Sequence, residues 1–221
     1  MDQKAATPVK KPAHKAHRNE VYVLRGWKEY MGESLLIIFS VLLALFLTEY
    51  ITNLHEKKQT REILHNIREE LVKNREAETI EHAYEAKILT RIDSVLVSAD
   101  LQQKIVANDE FHFKMIAPAG AQCRDLNTVA WDVAKSQSIT NKANFELLSK
   151  LTDIYDNQAR ITKLEDQIAK ILLAYDSRKL ANVRTTLLLV RDSYHGWSYD
   201  RAQSLLKKYD EAIKMIDDDK L

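Results

Sequence analysis

The sequence predicts an all-α protein in which one N-terminal transmembrane helix continues into a long stalk helix and an antiparallel helical bundle. Three observations carry this. From Ser34 to Thr48 the chain reads SLLIIFSVLLALFLT, fifteen residues without a charge, between Glu33 and Glu49. Glycine and proline then almost vanish: neither occurs between Gly32 and Pro118, and after Gly120 only Gly196 remains. A chain rich in Leu, Ala, Lys, Glu and Gln with so few breakers favours helix throughout. Finally, apolar residues recur at spacings of three, four and seven.

Residues 1–29 form a basic tail. Lys4, Lys10, Lys11, Lys15, Arg18, Arg25 and Lys28 accompany Pro8, Pro12, His14 and His17, a composition that predicts disorder. The transmembrane helix covers 30–54. Fifteen residues rise only about 22 Å, so the flanks complete a crossing of about 30 Å, with Trp27, Tyr30 and Tyr50 as interfacial aromatics. A cleaved signal is disfavoured because Thr48-Glu49-Tyr50-Ile51 lacks small residues at a cleavage site. A lipoprotein signal is disfavoured because Cys123, the one cysteine, lies far away. A buried soluble helix seldom lacks a polar face. The basic tail predicts a cytoplasmic N-terminus and an extracytoplasmic domain, although Lys57, Lys58, Arg61 and Arg68 reduce the asymmetry. In a Gram-negative cell that domain is periplasmic.

Residues 55–99 are expected to form the stalk and first bundle helix. Ile63, Leu64, Ile67 and Leu71 make one apolar stripe; Ile80, Tyr84, Ile88, Ile92 and Val95 make a second beyond a polar stretch around Lys73 to Glu78. Residues 100–221 complete the bundle. Asp100 to Gln122, with Pro118 and Gly120, reads as irregular. A short helix is expected over Leu126 to Ser136, with Trp131 as its core anchor. From Asn141 to about Tyr175, Leu147, Ile154, Ile161, Ile168 and Tyr175 recur every seven residues, a seam facing a partner helix. Leu180, Val183, Leu187, Val190 and Tyr194 form the next stripe, with Gly196 expected as its C-cap and Trp197 in an aromatic helix corner. Ala202, Leu205, Tyr209, Ala212 and Ile216 form the last.

Within the span, Gly32, Ser40, Ala44 and Thr48 share a row at multiples of four, and such small residues let membrane helices pack closely. Glu33 and Glu49 are boundary carboxylates that reach headgroup water, with a role in ion or proton movement as the alternative. Cys123 reads as a small buried apolar residue.

Catalytic signals are sparse. Glu62-x-x-His65 has the spacing of a helical metal pair, and Glu78, His82 and Glu85 share one helix face, but a di-iron bundle needs a second Glu-x-x-His and the nearest analogue is Asp192-x-x-His195. No Gly-rich phosphate loop, nucleophile elbow or cysteine pair occurs. At net charge +1 the chain carries no field that favours nucleic acid. We therefore expect no enzyme activity, no cofactor and no metal, and the sequence identifies no small-molecule substrate.

Gly32-Glu33-Ser-Leu-Leu-Ile-Ile-Phe-Ser-Val-Leu-Leu-Ala-Leu, with Asn53-Leu-His-Glu-Lys-Lys-Gln after it, resembles the opening of a family of Bacteroidota single-span membrane proteins of unknown function. In that family a Gly-Glu pair opens the span and an Asn-Trp-Asn-Glu-like element closes it; here Leu54-His55 replaces the usual aromatic-polar pair. Thr128-Val-Ala-Trp131-Asp-Val-Ala-Lys-Ser136 and Leu147-Leu-Ser-Lys-Leu-Thr-Asp-Ile-Tyr155 resemble its later portion. The resemblance covers roughly residues 30 to 160 and implies an inner-membrane protein with a helical ectodomain, with no catalytic residues to carry over. The expected partners are the lipid bilayer and either a second copy or another membrane protein. A structural or interaction role leads, a sensory or ligand-binding ectodomain is the alternative, and a metal-dependent bundle enzyme stands third.

Overall fold

The computed structural model describes residues 26–122, 124–137 and 144–218. The expectations for the disordered tail and for Cys123 fall outside these residues. The described chain is all-α apart from one two-residue hairpin, and it divides into two compact units, residues 1–52 and 53–221.

In the first unit every described residue is helical from Trp27 onward, and every described side chain is exposed. The helix that begins here, α1 (Trp27–Leu96), is long and apolar enough to cross a membrane. Two hydroxyl residues of the apolar run are satisfied within the helix: Ser40 donates to the Leu36 carbonyl at 2.7 Å and Thr48 to that of Ala44 at 2.8 Å. A hydroxyl bonded back to its own helix adds no unmet polar group to an apolar surface.

The second unit is a bundle of four chain segments. The helical portion of α1 from Asn53 onward is the first. It ends at Leu96 rather than at Ala99, because Ser98 starts a new helix, α2 (Ala99–Ile105), by capping the Leu101 amide with its hydroxyl. A hairpin follows, β1 (Val106–Ala107) with β2 (Glu110–Phe111), whose turn residues Asn108 and Asp109 have φ of 55° and 59°. Two consecutive positive φ values are the signature of a tight hairpin turn, and Asn and Asp tolerate them.

The second segment, from the hairpin to Gln137, is helical only in a short 3-10 turn at Phe113–Met115 and in α3 (Val129–Ser136). It returns antiparallel to α1, and side chains of α1 hold it in order. Arg91 donates to the Ile116 carbonyl at 3.2 Å and Tyr84 to that of Gly120 at 2.9 Å. Further along, Glu81 accepts from the Arg124 amide at 3.0 Å and Asn74 brackets the Asn127 backbone at 2.7 and 2.8 Å. Glu70 then accepts from the Ala130 amide at 2.8 Å, and Gln59 meets Gln137 at 2.8 Å. A backbone without a helix or sheet of its own must find partners elsewhere, and here α1 supplies them.

The third segment is α4 (Phe145–Ile161), capped by Asn144 through the Glu146 amide, followed after a turn at Thr162 by α5 (Lys163–Leu173). Leu147, Ile154, Ile161 and Ile168 are all buried, as the seven-residue spacing predicts. Tyr175 is not: it is 78% exposed, because the backbone becomes extended at Ala174 and leaves the helical phase. The lysine of Lys179 sits over its ring instead, at 4.5 Å.

Leu180 also departs from its stripe; it is exposed in a 3-10 turn, and α6 (Val183–Tyr194) starts three residues later. The expected C-cap at Gly196 and aromatic corner at Trp197 are absent. A π turn at His195–Tyr199 joins α6 to α7 (Asp200–Asp218) without a break in helical residues, and Arg201 takes up the Gly196 carbonyl at 2.8 Å. The buried residues Tyr194, Ser198 and Ala202 follow spacings of four and four, one residue beyond the alternation of three and four, and a π turn accommodates that extra residue.

This fourth segment runs antiparallel to α1 and to α4. Arg68 pairs with Asp217 at 2.6 Å, Arg75 with Asp210 at 2.6 Å, and Asp93 with Arg191 at 2.8 Å, while Asp153 meets Lys208 at 2.6 Å. Such half-exposed pairs contribute about 0–1 kcal/mol each and chiefly set register. Stability comes from two apolar cores, where a fully buried Leu, Ile or Val contributes about 1.5–3 kcal/mol. One gathers Ile67, Leu71, Trp131, Leu151, Ile154 and Tyr209; the other gathers Ile88, Ile92, Ile105, Leu164, Leu187 and Val190. Trp131 stacks on Tyr155 at 5.1 Å in the first core, as expected for an anchor, while Val129 and Val133 on either side of it are exposed.

Candidate functional site

Between the two cores lies a polar layer. Counting along α1 from Ile67, the alternation of three and four residues gives Leu71, Asn74, Glu78, Glu81, Glu85, Ile88, Ile92 and Val95, and all of these are buried. Four successive seam positions are therefore polar, three of them glutamate. The expected second stripe is corrected at its start: Ile80 is 39% exposed and Tyr84 half-buried, because both flank the seam that the glutamates occupy.

The layer is unevenly satisfied. Asn74 is bonded on both polar atoms and Glu81 takes the Arg124 amide. Glu78 and Glu85, 1% and 0% exposed, have no hydrogen-bond partner on either oxygen among the described residues. Opposite them the π turn brings Ser198, fully buried, beside Glu85, yet its hydroxyl closes no bond of normal geometry. From α4, Gln158 donates to the Tyr209 hydroxyl at 2.6 Å and leaves its own oxygen buried and unpartnered. His82 stacks on Tyr199 with ring centroids 4.3 Å apart.

Burial penalises the ionised form of a carboxyl group. Desolvation, and then the Glu81 charge, push Glu78 from 4.5 up to about 7. Desolvation also dominates at Glu85, where Glu81 and Glu78 add to it and Ser198 opposes it, and the result is about 8. Burial raises the hydroxyls of Tyr194 and Tyr209 as well, so both remain protonated hydrogen-bonding groups. The arrangement can hold protons at neutral pH. Among the described residues no three His, Cys, Asp or Glu side chains are grouped to hold a metal ion.

Of the residues singled out from sequence, Gly32, Ser40, Ala44 and Thr48 lie on the exposed helix of the first unit, as do Glu33 and Glu49. Glu78 and Glu85 share a face as expected, but that face is the core. Glu62 and His65 are exposed. The sequence reading does not single out Glu70, Glu81, Gln158 or Ser198; the unbroken phase from Leu71 to Ile88 marks Glu81, whereas Glu70 lies before that run and Gln158 and Ser198 lie on other segments.

Surface clefts adjoin the first core, two of them beside α3. One of about 480 Å³ lies between α1 and α3, lined by Asn66, Glu69, Lys73 and Asn127 among others. The second, about 700 Å³ and open, is lined by Trp131, Lys135, Phe145 and Leu148 among others, and Phe145 is 84% exposed. Comparisons with protein-family models, with curated proteins and with solved structures find no match for this chain.

Proposed function

We propose that this chain is a membrane-anchored interaction protein whose helical domain, on the periplasmic side of a bacterial inner membrane, docks on a second copy or on another envelope protein. The observation that carries the reading is the exposure of the apolar run. From Leu35 to Leu54 its large apolar side chains are between 46% and 68% exposed on every side of the helix. A surface of that kind needs lipid or protein around it. The basic tail supports an N-terminus in the cytoplasm. The row Gly32, Ser40, Ala44 and Thr48 offers a face for close approach of a second helix.

The test is extraction from native membranes. Resistance to alkaline carbonate supports the anchor, and a native mass above that of one chain in gentle detergent supports docking. Carbonate release removes the first claim, and a strictly monomeric species removes the second. A sensory domain signalling through a separate protein is the second reading, favoured by the cleft between α1 and α3, where Glu69, Lys73, Asn66 and Asn127 put both charges and amides around about 480 Å³. A small molecule that raises the melting temperature would support it.

A further inference from the structure

The buried carboxylates are the feature of this domain that its packing least explains. Two closed apolar cores are separated by four polar seam positions on α1, and two of these, Glu78 and Glu85, have no hydrogen-bond partner among the described residues. Independent polar groups are buried with them. The Ser198 hydroxyl is 0% exposed and unpartnered beside Glu85, and the Gln158 oxygen, on a residue 1% exposed, is unpartnered as well. The opposing backbone at Ser198 is also the one place where the fourth segment departs from α-helical winding. Such turns interrupt the ordinary bonding ladder and gather at functional positions.

Among the described residues no counter-charge holds the carboxylates ionised. On α1 the neighbours are Glu70, Glu81, His82 and Tyr84; the returning segment offers the Arg124 amide, already taken by Glu81, with the Arg124 residue itself exposed. From α4 come Gln158 and Tyr155, the latter donating to Glu70 at 2.7 Å. From α5 Glu165 acts on Tyr194, which also faces Glu85 from α6. The π turn contributes Ser198, Tyr199 and His195, the last bonded to Asp200 at 3.2 Å, and α7 contributes Tyr209. Among the described residues no lysine or arginine side chain acts on Glu78 or Glu85. An ionised carboxylate buried without a counter-charge is too costly to persist, so a proton, water or loosening of the core must relieve it.

We propose that this layer is a proton-operated joint: with protons on Glu78 and Glu85 the two cores close through it, and when the protons leave, charge repulsion and hydration loosen the bundle at the π turn. The joint is independent of which partner the domain docks on. Its direction follows from the raised carboxyl groups. Folded Glu78 and Glu85 keep protons that the unfolded chain gives up near pH 4.5, so stability is full below that value and falls as pH rises through about 7 and then about 8. The midbody is therefore tightest on the acidic side of neutrality.

The experiment uses the full chain in nanodiscs. Infrared spectra of the wild type are expected to contain a protonated-carboxyl C=O band at pH 6 that is lost by pH 9, where ordinary surface glutamates, which ionise near 4.3, give none at either pH. Hydrogen exchange, corrected for the intrinsic effect of pH, is expected to lose at least about tenfold protection at the amides of residues 195–201 over the same range, since each pH unit between unfolded and folded values is a factor of ten per group. The E78Q/E85Q double variant should abolish both changes. The proposal is overturned by the absence of the band at pH 6, by equal exchange changes in wild type and variant, or by calcium or magnesium restoring protection at pH 9. The infrared result stands on the wild type alone if the variant does not fold.

Discussion

Glu70 ties three segments of the bundle together, and removing it should be among the most damaging single changes in the domain. One carboxylate oxygen accepts from the Tyr155 hydroxyl of α4 at 2.7 Å, and the other accepts from the Ala130 amide in the first turn of α3 at 2.8 Å. Glu70 is 8% exposed and Tyr155 5%, so water cannot readily replace either bond. A hydrogen bond to a charged group contributes about 1.5–3 kcal/mol. Glu70→Ala breaks two and strands a buried hydroxyl, and the expected loss is about 3–5 kcal/mol, a large share of the 5–15 kcal/mol of a typical domain. Tyr155→Phe removes one bond and should cost about 1.5–3 kcal/mol. Urea unfolding of both variants and of the double variant, with the full chain held in micelles, yields the coupling between the two side chains, expected at about 1.5–3 kcal/mol. Hydrogen exchange supplies a local control: the Ala130 amide should lose protection in Glu70→Ala, whereas the Glu146 amide, capped by Asn144, should not. A coupling below about 0.3 kcal/mol, the usual error of additivity, or an unchanged Ala130 amide would refute the assignment of Glu70 as a tie.

Gly196→Ala should raise stability by about 0.5–1 kcal/mol in thermal unfolding, because a Cβ there meets nothing within 4 Å and alanine loses less backbone entropy in a helix. A C-capping glycine in the left-handed region would give the opposite sign. Leu187→Ala, at a fully buried position of the second core, should cost about 2–5 kcal/mol by chemical denaturation. If the proposed docking holds, Ala44→Leu should reduce recovery of the complex while leaving the membrane-bound fraction unchanged, since it adds bulk only on the small-residue row; unchanged recovery would move the contact to the helical domain.

The helical segments of this bundle are legible wherever apolar spacing and the scarcity of breakers agree. Leu147, Ile154, Ile161 and Ile168 announce α4 and α5, and Leu187, Val190 and Tyr194 announce α6. Tyr175 was misplaced because the helix ends at Leu173 with no glycine or proline to mark it; its stop is set by how the chain returns to α6. The returning segment is illegible locally for a related reason. Its hydrogen bonds are made to Arg91, Tyr84, Glu81, Asn74 and Glu70, which lie on α1 and far away in sequence. The acidic layer was visible as a shared face of Glu78 and Glu85, but charged residues at seam positions read as a solvated face unless the phase is followed from Leu71 through to Ile88. The hairpin is marked in the sequence by Asn108-Asp109 between short apolar runs, since both residue types tolerate positive φ.

The π turn makes the fourth segment one residue longer than its seam requires. If a single residue such as Gly196 were deleted, Tyr194, Ser198, Ala202, Leu205 and Tyr209 would fall back into an uninterrupted alternation of four and three, and the whole stretch from Val183 to Asp218 could wind as plain α-helix with every core contact in phase. The bulge is thus a removable spacer rather than a structural necessity. A deletion of one residue, ordinarily ruinous in the middle of a packed helix because it rotates all that follows by about 100°, is here the change the seam can absorb.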